Sequence, residues 1–284
     1  MRLVFYKENH IIMSNGLFNQ STVNSTFSFG VDKAIFYSVI GVFTMQLIGA
    51  IIQFPTFFFP VLNHILLPLG FFAGIFLAIM LLLVLLKTNS KPIISDLKHR
   101  FTFVQLILVV FIWLGFLPLG EFLTTLIPTT GLLEGLYQYF QATFTMLLKY
   151  KIASFIVICL MAPIFEEILF RGIILKGMLN HKINPLLAIV VSGLIFGVAH
   201  LNPWQFVGAG LLGCVFGYVY YQTKSLLLPI ILHALNNTLS YVYIILFDAV
   251  EENIFDVSNG LMIGIFTILA LILSYILHLK TKDN

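Results

Sequence analysis

The stretch Met161-Ala-Pro-Ile-Phe-Glu-Glu-Ile-Leu-Phe-Arg-Gly172 places two glutamates and an arginine inside a long apolar segment, residues 151–179. The segment is long enough to cross a bilayer, since one crossing takes about 20 mostly apolar residues. An ionisable group at the centre of a membrane helix costs about 2.5–3.5 kcal/mol on insertion scales. The stretch therefore predicts a membrane-spanning helix that carries functional groups.

The composition of the whole chain indicates a membrane protein. Of its 284 residues, 60% are hydrophobic and 10% are charged, and 29 are phenylalanine. A soluble domain has about 25% charged residues on average. The composition excludes a disordered chain and a disulfide-stapled secreted module, and it predicts no nucleic-acid partner. The two cysteines, Cys159 and Cys214, lie in apolar runs and are expected to be small core residues.

Eight apolar segments are candidate membrane spans. They cover residues 33–54, 64–87, 102–123, 151–179, 185–201, 204–221, 225–247 and 259–279. The predicted fold class is an all-α polytopic membrane protein, a bundle of about eight transmembrane helices with an intramembrane polar cavity. Residues 1–30 are polar and predict a flexible N-terminal tail. Residues 31–284 are expected to form one membrane domain, with its core of polar groups in residues 151–247.

Basic residues fall on alternate connections between these spans, as the positive-inside bias of membrane proteins requires. If the N-terminus is inside and the chain crosses eight times, the inner side carries most of the 15 Lys and Arg residues. The inner residues are Arg2, Lys7, Lys33, Lys87, Lys91, Lys98, Arg100, Lys176, Lys182, Lys224, Lys280 and Lys282. The outer side carries Lys149 and Lys151 with the carboxylates Glu121, Glu134, Asp248, Glu251, Glu252 and Asp256. The pattern predicts a multi-pass protein of the cell membrane with both termini in the cytoplasm.

The connection 124–148, on the predicted outer side, is long and rich in aromatic residues. It contains Tyr137, Tyr139, Phe140 and Phe144. This composition is typical of an amphipathic helix that lies at the membrane interface. The alternative is a segment that turns inward and acts as a gate for the substrate.

Helical spacing sorts the ionisable groups of the fourth span. Glu167 and Arg171 are four residues apart, share one face of the helix and are predicted to form a structural ion pair. Glu166 is rotated by about 100° from its neighbour. No basic residue lies three or four positions away from Glu166 on this helix. Its carboxylate is therefore free for a partner on another helix.

Two further spans contribute polar side chains. One ends in the sequence Phe-Gly-Val-Ala-His, residues 196–200, and another contains His-Ala-Leu-Asn-Asn, residues 233–237. His233 and Asn237 are four residues apart and project from one helix face. Together with Glu166 and His200 they are predicted to form one inward-facing set.

A glutamate, two histidines and an asparagine in a membrane cavity are suited to the hydrolysis of an amide bond. A carboxylate beside an imidazole can take a proton from water and make it a nucleophile. A second imidazole and a side-chain amide can donate hydrogen bonds to the developing oxyanion. The same donors also suit zinc, because two histidines and a glutamate are one catalytic zinc set. The zinc ligands would then be Glu166, His200 and His233.

Three ordered motifs carry a resemblance to a known family. They are Glu166-Glu167-x-x-x-Arg171, Phe196-x-x-x-His200 and His233-x-x-x-Asn237. In type, order and placement within apolar spans, they resemble the signature of the CAAX protease and bacteriocin-processing (CPBP) family of intramembrane proteases. The resemblance covers about 80 residues of the 284, from Met161 to Asn237.

The resemblance implies an eight-helix bundle with a cavity that opens toward the cytosol. It implies that Glu166 is the general base, helped by His200, and that His233 and Asn237 form the oxyanion hole. The Glu167–Arg171 pair would support the site. A glutamate-activated water needs no cofactor, whereas a metalloprotease in this family would need zinc.

The resemblance also implies the class of reaction, the hydrolysis of a peptide bond in a hydrophobic peptide or membrane-protein substrate within the lipid bilayer. Bacterial relatives are linked to peptide processing and bacteriocin self-immunity. Two alternatives remain open. One is a non-catalytic membrane immunity or scaffold protein, and the other is a proton-coupled transporter, which predicts polar groups in both halves of the chain.

Overall fold

The computed structural model describes residues 26–247 and 254–282, and the rest of the predicted N-terminal tail, residues 1–25, lies outside this range. Within the described residues the regular structure is entirely helical, without strands, and the predicted all-α class is confirmed. The helices are α1 (Val31–Gln53), α2 (Asn63–Leu85), α3 (Lys91–Leu97), α4 (Phe103–Thr125), α5 (Glu134–Leu148), α6 (Lys151–Asn180), α7 (Pro185–Val198), α8 (Pro203–Thr223), α9 (Leu227–Phe247) and α10 (Gly260–Thr281). Short 3₁₀ turns occupy Phe54–Phe57, Pro60–Leu62 and Gly131–Leu133.

Six helical segments of the described chain are long and apolar enough to cross a membrane. They are Val31–Phe57, Pro60–Leu85, Phe103–Thr125, Lys151–Asn180, Leu227–Phe247 and Gly260–Thr281. The chain is a multi-pass membrane protein. The remaining two predicted spans, 185–201 and 204–221, correspond to α7, with 14 residues, and to the less apolar α8, with 21. The count of eight spans stays a prediction.

Helix α6 is interrupted by two π-helical segments, Ile156–Met161 and Ile168–Leu175, which flank the Glu-Glu motif. In a π-helix the carbonyl of residue i accepts from the N–H of residue i+5. For Ile158 that donor would belong to Pro163, which has no N–H. The carbonyl of Ile158 is therefore left free for a side chain of another helix.

Helices α7 and α8 pack backbone against backbone. A Cβ atom built on Gly213 of α8 would lie 2.9 Å from the Cα atom of Gly193 of α7. One built on Gly197 would lie 2.6 Å from the carbonyl oxygen of Phe206. Small residues allow helices to approach this closely within a membrane. The contact holds the C-terminal half of α7 directly against the N-terminal half of α8.

The last residues of the predicted tail belong to the bundle. Phe27 and Phe29 are buried in the main hydrophobic core. The backbone N–H of Phe29 donates to the carbonyl of Gly177 at 3.1 Å, and the Asn180 side chain donates to the carbonyl of Phe27 at 2.8 Å. The assignment of residues 26–30 to a flexible tail is thus corrected, because two aromatic side chains in this short stretch are removed from solvent.

Candidate active site

The predicted ion pair between Glu167 and Arg171 is present at the centre of the bundle. Nη1 of Arg171 lies 2.8 Å from Oε1 of Glu167, and both side chains are completely buried. Nη2 of Arg171 donates to the carbonyl of Gly213 at 2.9 Å. The guanidinium group also lies 4.6 Å from the centroid of the Phe196 ring, which adds a cation–π contact. The pair links α6 to both α7 and α8.

His233 joins this pair, a contact that helical spacing did not predict. Its Nδ1 atom lies 2.9 Å from Oε1 of Glu167. A carboxylate that binds a guanidinium group is ionised and can only accept, so Nδ1 carries the hydrogen. The other nitrogen, Nε2, then faces Glu166, whose Oε2 atom is 3.9 Å away. The two adjacent glutamates therefore contact the two nitrogens of one imidazole.

Aromatic rings fix the orientation of the His233 imidazole. The Phe216 ring is stacked against it, with ring centroids 5.5 Å apart. The Phe196 ring meets it edge to face at 5.6 Å. Since the imidazole is also anchored by Glu167, its Nε2 atom has little freedom to move. Such pre-organisation is what a catalytic donor or acceptor needs.

His200 lies just after the end of α7 and has a defined tautomer. Its Nδ1 atom is 2.9 Å from the carbonyl oxygen of Phe196. A backbone carbonyl only accepts, so Nδ1 must donate, and the Nε2 atom of a neutral imidazole is left as an acceptor. His200 is therefore able to take a proton from a group in the cavity.

Asn237 is held by a backbone group that α6 leaves unpaired. Its Nδ2 atom donates to the carbonyl of Ile158 at 2.8 Å. Its Oδ1 atom accepts from Asn236 at 3.3 Å, and the oxygen of Asn236 in turn accepts from the indole N–H of Trp113 at 3.3 Å. A primary amide has two N–H groups, so one remains for a ligand. The helical spacing of the sequence predicted neither Asn236 nor Trp113 as part of this chain of hydrogen bonds.

One cavity of about 630 Å³ brings the predicted catalytic set together. Glu166, His200, His233 and Asn237 all contribute to its wall. Much of the remaining lining is apolar, with side chains such as Phe116, Leu117, Phe140, Phe144 and Leu212. Glu167 and Arg171 lie behind the wall and do not reach the cavity. The arrangement offers the Glu166 carboxylate and the His200 imidazole as proton acceptors and one N–H group of Asn237 as a donor.

The predicted zinc ligands lie around the same cavity. Among the residues that the structure describes, no group of three or more His, Cys, Asp or Glu side chains is placed to hold a metal ion. Nδ1 of His233 is already bound to Glu167. Bonds of Nδ1 leave Nε2 of both histidines available, so a zinc site at Glu166, His200 and His233 stays a prediction. No step of the proposed reaction is assigned to a metal ion.

Comparison with known proteins shows what one part of the chain resembles. Residues 148–239 match the model of a family described as type II CAAX prenyl endopeptidase Rce1-like. All six residues of the predicted site lie within this segment. The resemblance to CAAX proteases is confirmed over this part of the chain.

Two relatives from bacteria are each similar to part of the chain. The chain is 37% identical over 83 residues to YdiL of Bacillus subtilis (strain 168), which is named as a membrane peptidase. This match covers 29% of this chain and 34% of the relative. It is 36% identical over 96 residues to MroQ of Staphylococcus aureus (strain USA300), named as a membrane-embedded CAAX protease, covering 31% and 38%. The chain thus matches about a third of the length of these curated relatives. No solved structure matches it.

Proposed function

We propose that this protein is an intramembrane endopeptidase of the cell membrane that hydrolyses a peptide bond in an apolar or membrane-associated peptide. The observation that carries the proposal is the meeting of Glu166, His200, His233 and Asn237 in one cavity, within the segment that matches the CAAX endopeptidases. The apolar lining supports a hydrophobic substrate, because apolar side chains gain free energy when they leave water or lipid headgroups for such a wall. Bacterial peptide processing and bacteriocin self-immunity are the roles proposed for it.

In the proposed reaction Glu166 accepts a proton from a water molecule while the water oxygen attacks the carbonyl carbon. His200 accepts a second hydrogen bond from this water through Nε2 and so orients it. The carbonyl electron pair moves to the oxygen, and the tetrahedral oxyanion forms. Glu166 then gives its proton to the leaving nitrogen as the C–N bond breaks, and the products are a carboxylic acid and an amine.

His233 and Asn237 stabilise the oxyanion in this proposal. Because Nδ1 of His233 donates to Glu167, Nε2 carries a hydrogen only when the imidazole is positively charged. Two carboxylates surround this imidazole, and Arg171 is the one cation that faces them among the described residues. The proposed contact with the oxyanion uses the imidazole that carries a hydrogen on both nitrogens. Glu167 is therefore proposed as a positioning residue as well as a structural one.

The test is the cleavage of a quenched-fluorescent apolar peptide by the purified protein in detergent. Glu166→Gln keeps the size of the side chain but cannot accept the proton, so turnover should fall at least about 100-fold while folding is retained. Glu134→Gln, at an exposed position of α5, is the matched control and should keep the wild-type rate.

Treatment with a chelator distinguishes the glutamate mechanism from a zinc-dependent mechanism. The glutamate mechanism predicts that wild-type activity resists a chelator. Loss of activity with chelator and recovery with zinc would favour a metalloprotease. If Glu166→Gln cleaves the peptide at the wild-type rate, the proposal is wrong, and the non-catalytic membrane protein becomes the better interpretation.

A further inference from the structure

The residues that line the cavity come from one end of the bundle. Helix α4 contributes its C-terminal part, residues 116–124, and α6 its N-terminal part, residues 157–166. Helix α7 contributes its C-terminal end, α8 residues 205–216 and α9 residues 233–244. These helices run alternately up and down, so all these parts lie at the end where α5 is found. We call this end the open end.

A second cavity, of about 680 Å³, adjoins the first at the open end. The two share lining residues that include Glu121, Thr124, Gln205 and Ser240. The second cavity reaches residues 127–130 in the connection before α5. It therefore extends the site from the buried catalytic groups toward the surface of the protein.

Helix α5 lies over this second cavity. The ring of Tyr137 is 4.9 Å from that of Trp204 at the start of α8, and the ring of Phe140 is 6.2 Å from it. Thr124, Gln205 and Ser240 offer polar groups between these rings and the catalytic cavity. Aromatic walls with a few polar groups suit an extended peptide, whose side chains are apolar and whose backbone needs hydrogen-bond partners.

The opposite end of the bundle is closed by a polar network. Oδ2 of Asp96 accepts from Nζ of Lys176 at 2.7 Å and from the hydroxyl of Tyr220 at 2.6 Å. The carbonyl of Asp96 accepts from the backbone N–H of Leu226 at 3.0 Å. Phe29 packs against Gly177 at the same end. None of these residues borders either cavity.

The two ends differ in the basic residues that the described chain carries there. The closed end holds the basic connections, and Lys91, Lys98, Arg100 and Lys182 are exposed there. Among the described residues, the open end carries the carboxylates Glu121, Glu134 and Asp256 and the two lysines Lys149 and Lys151. Basic connections stay in the cytoplasm during insertion. The closed end is therefore the cytoplasmic one, and the open end faces outward.

We infer that substrates reach Glu166 from the extracytoplasmic side, and that the substrate is an extended apolar segment of an exported or outer-leaflet peptide. This inference rests on the proposed function for the identity of the occupant. The resemblance to the family implies the opposite direction of access, through a cavity that opens toward the cytosol. Helix α5 then borders the path of the substrate rather than serving only as an interfacial anchor.

The direction of access is tested by single-cysteine labelling in a Cys159→Ala, Cys214→Ala background. Ser240→Cys lies in the wall shared by the two cavities, and Lys98→Cys at the closed end is its matched control. A membrane-impermeant maleimide should label Ser240→Cys in intact cells and label Lys98→Cys only after permeabilisation. Gln205→Cys provides a second site in the shared wall if Ser240→Cys does not accumulate.

Labelling of Lys98→Cys in intact cells overturns the inference, and so does a shared-wall cysteine that reacts only after permeabilisation or never. The measurement does not depend on activity. An apolar reporter peptide added outside intact cells should then be cleaved by the wild-type protein and not by Glu166→Gln. Outward labelling without any such cleavage would preserve the direction of access and count against the proposed protease.

Discussion

Two carboxylates in this protein accept hydrogen bonds from a cation and from a second side chain, and they differ in their surroundings. Glu167 binds Arg171 and His233 at 2.8 and 2.9 Å with no exposed surface. Asp96, at the closed end, binds Lys176 and Tyr220, and its ion pair keeps 15–17% of the side-chain surface exposed. Similar geometry therefore has different energetic meaning, because a charge that loses its partner in the interior cannot turn to water.

The largest expected effect on stability comes from Arg171→Met. The substitution leaves the Glu167 carboxylate buried without its cation, which should cost about 3–5 kcal/mol of folding free energy. Thermal unfolding in detergent and the yield of folded protein measure the loss. Lys98→Met, which removes a charge at an exposed position, is the control and should leave the unfolding midpoint unchanged.

The double variant Glu167→Gln, Arg171→Met sharpens the interpretation of that loss. It removes both charges together, so it should be less destabilised than Arg171→Met alone, as expected when an unpaired charge dominates the cost. Equal or greater destabilisation of the double variant would show that packing or the contact of Glu167 with His233, rather than charge burial, sets the stability.

A smaller effect is expected for Tyr220→Phe at the closed end. The hydroxyl that this change removes donates to Asp96, and a hydrogen bond to a charged group contributes about 1.5–3 kcal/mol. The unfolding free energy in detergent should fall by an amount in this range. Tyr139→Phe, on the exposed face of α5, serves as the control. A loss as large as that of Arg171→Met would remove the contrast between the two carboxylates.

The smallest effect is expected for Lys176→Met. The pair with Asp96 is partly exposed, and such pairs contribute about 0–1 kcal/mol. Salt screens exposed charges, so the difference between this variant and the wild type should shrink as the salt concentration rises. The loss in Arg171→Met should be nearly independent of salt, and a strong salt dependence there would contradict its burial.

Local spacing explains which parts of the site could be predicted from the sequence. The i,i+4 rule finds contacts along one helix, and the Glu167–Arg171 pair is such a contact. The bond between Glu167 and His233 joins residues 66 positions apart and depends on how two helices are rotated against each other. The bond from Asn237 to Ile158 depends on a π-helical segment, which shifts the angular position of the residues before it.

The same reasoning explains what could be predicted of the fold. Apolar length identified the six long spans, because each needs only about 20 apolar residues in a row. The predicted span 185–201 is three residues too long, since the helix ends at Val198. Apolar composition continues through the turn that carries His200 and gives no signal for the end of the helix. The assignment of residues 26–30 to the tail was wrong, because two phenylalanines in a polar stretch give no periodic signal from which packing could be predicted.

Helix α7 has a consequence for the surrounding lipid. Leu186, Val190, Leu194 and Val198 form an exposed apolar stripe along it, yet its 14 residues span only about 21 Å, against a hydrocarbon layer of about 30 Å. A bilayer meets such a mismatch by thinning beside the short element. The hydrophobic thickness is then smallest next to the helix that ends at Val198, just before His200. Acyl-chain length becomes a physical control on how deep the proposed catalytic groups lie below the headgroups.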